Sequence, residues 1–108
     1  MANALDRDFV RSQAVLIGTW NYTYLTDVGA AEHSLNRMRS LLTSELCGWP
    51  PERVKDFSNP QKPGDLPLQL VRLFASAKDV ALFYFVGHGQ IDDEDSLCLV
   101  SDGQCITP

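Results

Sequence analysis

The side chain in this sequence best placed to do chemistry is His88, held between Gly87 and Gly89 at the end of residues 79–89, DVALFYFVGHG. An imidazole titrates near neutrality, so it can take a proton from a thiol and return it to a leaving amine. Flanking glycines let the backbone turn sharply and come close to a ligand. The other reactive side chains are Cys47, Cys98, Cys105 and a second histidine, His33. The histidines lie far apart and near no C-x-x-C pair, so zinc is a poor fit and no metal ligands are assigned. His33 falls early in a helical stripe and reads as a surface residue. Cys98, in the run LCLV, reads as a small buried hydrophobe. Cys47 closes a helical stripe and reads as core, and Cys105 sits in a Gly-Gln-Cys turn. None of the three is assigned as a nucleophile. An odd, unpaired count fits a reduced, cytoplasmic protein better than a disulfide scaffold.

The elements that must position His88 follow from the spacing of apolar residues. The seven residues Val80 to Val86 are all apolar, as in a strand buried on both faces of a parallel sheet. Groups just beyond the carboxyl ends of such strands are where α/β sheets bind ligands, and His88 falls there. AVLIG, residues 14–18, is a second strand of this kind, followed by a loop carrying Trp20, Asn21, Tyr22, Tyr24 and Asp27. Those aromatics either line a pocket at the sheet edge or cover the helix below.

Ala31, Leu35, Met38, Leu42 and Leu46 mark one face of a helix over 30–47, stopped by Gly48 and Pro50-Pro51. Residues 54–57 suit a short strand. Asp65 offers an N-cap and Pro67 a first-turn residue for a second helix with Leu70, Leu73, Phe74 and Ala77 inward, ending near Lys78. An acidic loop, residues 92–95, then leads to a small β element at 97–100 and a Ser-Asp-Gly turn. The order β-α-β-α-β predicts an α/β three-layer sandwich with a mostly parallel sheet and right-handed crossovers. The expected organisation is a polar lead-in, residues 1–12, and one domain over 13–108.

With 14 acidic against 9 basic residues the net charge is -5, and no basic stripe forms, which argues against nucleic acid as a partner. Nothing approaches the roughly 20 apolar residues of a membrane span, and residues 1–13 lack the apolar stretch of a secretory signal. No G-x-G-x-x-G or P-loop follows the first strand, so no nucleotide cofactor is expected. The acidic loop reads as a solvated turn; its functional alternatives are a weak calcium site and a field acting on His88 and attracting basic substrate side chains.

AVLIG with its Asn-aromatic loop, the Leu-x-x-Met-x-x-x-Leu helix face, and DVALFYFVGHG followed by LCLVSDG resemble the first half of a caspase-like cysteine peptidase. More closely, the chain resembles the bacterial caspase and metacaspase relatives, and the similarity spans about residues 11–103. It implies a caspase-like fold and a cysteine-type endopeptidase, a hydrolase of peptide bonds. His88 would be the general base and acid of a Cys-His dyad, and the backbone N–H of Gly89 would serve the oxyanion hole. Asp27 is a candidate member of the substrate pocket. The family's cysteine ends the next core strand, about 40 to 50 residues after the histidine, whereas 20 residues follow His88 here. The expectation is therefore an apparently truncated, His-bearing portion that acts on a peptide or protein substrate when a downstream segment completes it, and is inactive alone. The alternative is a catalytically inactive binding or regulatory module that pairs with a partner at an exposed sheet edge.

Overall fold

A strand that is apolar without alternation is stable only where both its faces are covered, and the chain builds its sheet around such a strand. A computed structural model describes residues 8–23, 25–60, 63–91, 93–101 and 104–106. Strand β1 (Gln13–Gly18) pairs in parallel with β2 (Val54–Ser58) on one side and β3 (Ala81–Val86) on the other, in the order β2-β1-β3. Helix α1 (Ala30–Leu42) lies between β1 and β2 in the chain, and α2 (Leu66–Ala75) between β2 and β3. Ala14 and Leu16 pack with Leu35 and Leu42 of α1 and with Trp49 and Val54. Val15 and Ile17 face the other way, onto Leu66, Leu70, Leu73 and Phe74 of α2. The helices therefore cover opposite faces, which is the three-layer α/β arrangement the element order predicts. The four central residues of β1 have no exposed surface, and burial at that level is worth about 2 kcal/mol for each of the larger three.

Three details differ from the sequence reading. The strand buried on both faces is β1; β3, which carries the longer apolar run, is an edge strand whose Phe83 is 44% exposed. A strand's own residues do not encode which neighbours it acquires. The first helix stops at Leu42 instead of running to Cys47. The Thr43 N–H and hydroxyl both donate to the Arg39 carbonyl, and the Ser44 N–H and hydroxyl both turn to the Leu41 carbonyl (3.2 and 2.6 Å), a tighter closing turn in place of a further α-helical one. Leu46 is consequently 89% exposed. Gly48, at φ 75°, closes the turn that follows, its N–H donating to the Ser44 carbonyl. Asp65 does occupy the N-cap of α2, but its side chain makes no capping bond.

The described part of the lead-in is packed onto the domain. Phe9 stacks on Trp49 at 4.6 Å. The buried Ser12 hydroxyl accepts the N–H of Val80 and donates to the Asp8 carbonyl.

Beyond β3 the chain forms a second, antiparallel sheet of β4 (His88–Ile91), β5 (Leu97–Ser101) and β6 (Gln104–Ile106) in the order β4-β5-β6. This sheet is larger than the small β element expected. Gly-His-Gly is thus no terminal turn: the chain kinks at Gly87 and His88 opens a new strand. Cys98 is buried (5% exposed), as a small apolar residue should be. It is also disulfide-bonded, which corrects the reading of three unpaired cysteines; Cys47 is the free thiol among the described residues. Of the acidic loop, Asp92 lies outside the described residues, and Asp93, Glu94 and Asp95 are exposed. Among the described residues no group of three or more potential metal ligands converges, and no helix is long and apolar enough to cross a membrane.

Candidate active site

The carboxyl ends of β1, β2 and β3 lie together because the sheet is parallel, so the loops that leave them meet at one rim. After β1, Thr19 donates its N–H to the Val86 carbonyl of β3 (3.0 Å), continuing the ladder one residue further. After β2, Asn59 takes a left-handed conformation, φ 45°. Its N–H donates to the Gly18 carbonyl (2.8 Å), and its Oδ1 accepts the N–H groups of Trp20 (2.9 Å) and Asn21 (3.1 Å). A single asparagine thereby pins the β1–α1 loop. Further along that loop Asp27 Oδ1 accepts the N–H of Tyr22 (2.8 Å), closing a short turn.

His88 is held from two sides by this turn. Its Nε2 lies 2.7 Å from the Thr26 carbonyl oxygen. A carbonyl can only accept, so Nε2 carries the proton, and the neutral ring has its lone pair on Nδ1. The His88 N–H donates to the Tyr22 hydroxyl (2.9 Å), which in turn donates to the Val100 carbonyl of β5 (2.9 Å). The Tyr22 and His88 rings meet edge-on, with centroids 4.7 Å apart at 68°. Burial raises the Tyr22 phenol above its usual 10.0, offset in part by the hydrogen bonds from His88 N–H and the Thr19 side chain. Tyr22 is therefore a neutral donor at pH 7.

Gly87 must be glycine for this packing. A Cβ there would lie 2.7 Å from the Tyr22 hydroxyl oxygen and 2.9 Å from the Thr19 carbonyl oxygen. Gly89 is paired with Leu99 across the β4–β5 ladder. Successive N–H groups of a strand point to opposite sides. Since that of His88 is turned toward β5, that of Gly89 is directed to the open edge of β4, the outer strand of its sheet.

Beside the histidine is a cavity of about 380 Å³ lined by Thr19, Asn21, Tyr22, Thr23, Asp27, Asn59, Pro60 and Ser101. Thr19 and Ser101 are buried, and their hydroxyls are 3.2 Å apart, stitching the second sheet to the first. The cavity is polar, and Asp27 is the charged member of its lining. Asp27 and His88 thus belong to the same rim. The aromatics of the loop divide between the two readings given to them: Tyr22 lines the cavity, Trp20 packs on the α1 cluster, and Tyr24 lies outside the described residues. Thr19, Asn59 and Ser101 were not foreseen as site residues. Asn-Pro after a short strand is a turn signal, and nothing in the sequence marks Asn59 as the clamp of another loop.

Neither Cys47 nor Cys98 serves this histidine. α1 starts at the carboxyl rim and leads back to the start of β2, so Cys47, in the turn after α1, sits at the opposite end of the sheet. Cys98 is buried in a disulfide. No protein-family model matches the chain, and no curated protein or solved structure matches it either.

Proposed function

We propose that this chain is the His-bearing part of a caspase-like cysteine endopeptidase. The observation that supports this is the bond from His88 Nε2–H to the Thr26 carbonyl, which leaves Nδ1 as the basic nitrogen of a histidine at the carboxyl rim of the sheet. A general base oriented by a third group is the arrangement that activates a thiol. In this reading Nδ1 takes the proton of a cysteine thiol supplied by polypeptide outside the described residues. The sulfur attacks the peptide carbonyl carbon, and the resulting oxyanion is met by the Gly89 N–H. The doubly protonated imidazole then gives its Nδ1 proton to the leaving amine. Water, deprotonated by His88, hydrolyses the thioester. The polar cavity receives a substrate side chain, with Asp27 as its charged group. The test is hydrolysis of fluorogenic peptide amides by the native polypeptide that contains this segment. His88→Ala should lower kcat by about 10²- to 10⁴-fold, and iodoacetamide should abolish the activity. Undiminished hydrolysis by His88→Ala overturns the reading.

The disulfide that occupies Cys98 and the place of Cys47 at the far end of the sheet support a second reading, a caspase-like module without catalysis that docks through the apolar edge of β3. Peptide hydrolysis by the native polypeptide that His88→Ala abolishes would exclude it.

A further inference from the structure

We infer that Tyr22 is the positioning residue of His88, its hydroxyl set between the two strands that begin the second sheet so that the imidazole is aimed at Thr26. The inference rests on reading His88 as the proton-relay group. His88 and Val100 face one another in the β4–β5 register, yet the hydroxyl of Tyr22 stands between them, accepting from His88 N–H and donating to Val100 C=O, each at 2.9 Å. The hydroxyl thereby ties the backbone of His88 to the β1–α1 loop as well as to β5, and so fixes the location of His88. The turn from Tyr22 to Asp27 then holds the histidine at two points. Tyr22 Oη fixes its backbone, and the Thr26 carbonyl fixes its ring at Nε2. The turn is itself closed by Tyr22 N–H to Asp27 Oδ1. One hydrogen bond to a ring leaves it free to swing about that bond; two attachments to the same loop, with the Tyr22 ring edge-on at 4.7 Å, define an orientation. Gly87 is the third part of the device, since only a residue without Cβ lets the hydroxyl reach the ladder.

The test follows the imidazole directly, in ¹⁵N-labelled native polypeptide, by NMR of its ring nitrogens and the Nε2 proton. Tyr22→Phe keeps the ring and deletes the hydroxyl. With the amide spectrum still dispersed, exchange of the His88 Nε2 proton with water should accelerate about tenfold, the scale of one lost hydrogen bond, and the nitrogen shifts should move toward a mixture of tautomers. Unchanged His88 signals in a folded Tyr22→Phe protein overturn the inference. If that variant does not fold, the wild-type protein supplies the measurement. Its carbon-bound His88 ring signals should shift in step with ionisation of the Tyr22 phenol, followed by absorbance above pH 10. The other charged side chain of this turn is Asp27. No shift in step with the phenol again overturns the inference. These readouts do not depend on turnover, so a peptidase assay that fails with intact His88–Tyr22 coupling refutes the enzymatic reading alone.

Discussion

Replacing Gly87 by alanine should be among the most damaging single-methyl changes available to this chain. The added Cβ would stand 2.7 Å from Tyr22 Oη, 2.9 Å from the Thr19 carbonyl oxygen and 3.1 Å from Phe85 Cζ. The Thr19 carbonyl cannot withdraw, because Thr19 is buried and its N–H is tied to Val86. The Tyr22 hydroxyl must therefore leave, breaking its bonds to His88 N–H and Val100 C=O, at about 1 kcal/mol each. Overpacking against Thr19 and Phe85 adds about 1–3 kcal/mol, for a total of about 3–5 kcal/mol. That is a large fraction of the 5–15 kcal/mol typical of a small domain, and corresponds to a drop in Tm on the order of 15 °C.

The assay is urea unfolding by circular dichroism, with the midpoint compared at constant m. Gly89→Ala is the control, since its Cβ meets nothing closer than 3.5 Å, and should change stability by less than about 1 kcal/mol. A double-mutant cycle with Tyr22→Phe sharpens the test. Once the hydroxyl is gone the nearest clash is gone, so the two substitutions should be coupled by about 1–2 kcal/mol. If Gly87→Ala costs no more than Gly89→Ala, or if the two sites are additive, the close approach of Tyr22 to Gly87 is not what shapes this site.

Truncating Leu16 to alanine in the middle of β1 should cost about 2–5 kcal/mol in the same assay, while Leu46→Ala should fall within about 0.5 kcal/mol. A large loss at Leu46 would mean that the first helix does continue past Leu42. Stability should also fall at high pH because of Tyr22. Its phenol ionises at higher pH in the folded chain than in the unfolded one, so its contribution is complete below about pH 10 and lost as pH rises through the folded-state value; Tyr22→Phe should remove that part of the alkaline decline, measured by unfolding at stepped pH. Peptide mapping after iodoacetamide treatment of the native, unreduced protein should find Cys47 labelled and Cys98 unlabelled until the protein is reduced and unfolded, and early labelling of Cys98 would contradict its disulfide.

The sequence by itself determined the class of fold and the place of the histidine. Apolar runs in residues 14–18 and 80–86, with amphipathic stripes between them, can satisfy their hydrophobic demand only as parallel strands crossed by helices. A Gly-His-Gly at the end of such a run must then lie at the carboxyl rim. These are local patterns of period and composition, readable one element at a time. What only the tertiary structure decided are relations between elements distant in the chain. Among these are the choice of β1 over β3 as the buried centre, the Asn59 clamp on the β1–α1 loop, the Thr19–Ser101 contact between the sheets, and the Tyr22 hydroxyl lodged between His88 and Val100. The disulfide of Cys98 belongs with them. The Asn59 and Tyr22 contacts depend on which backbone groups are left for a side chain once the sheets have formed, and the others on which side chains the packed sheets bring together, whatever their separation in sequence. The end of α1 at Leu42 shows the same limit at short range, since the chain closes in a tighter turn at Ser44 within a hydrophobic stripe that reads as helix as far as Leu46.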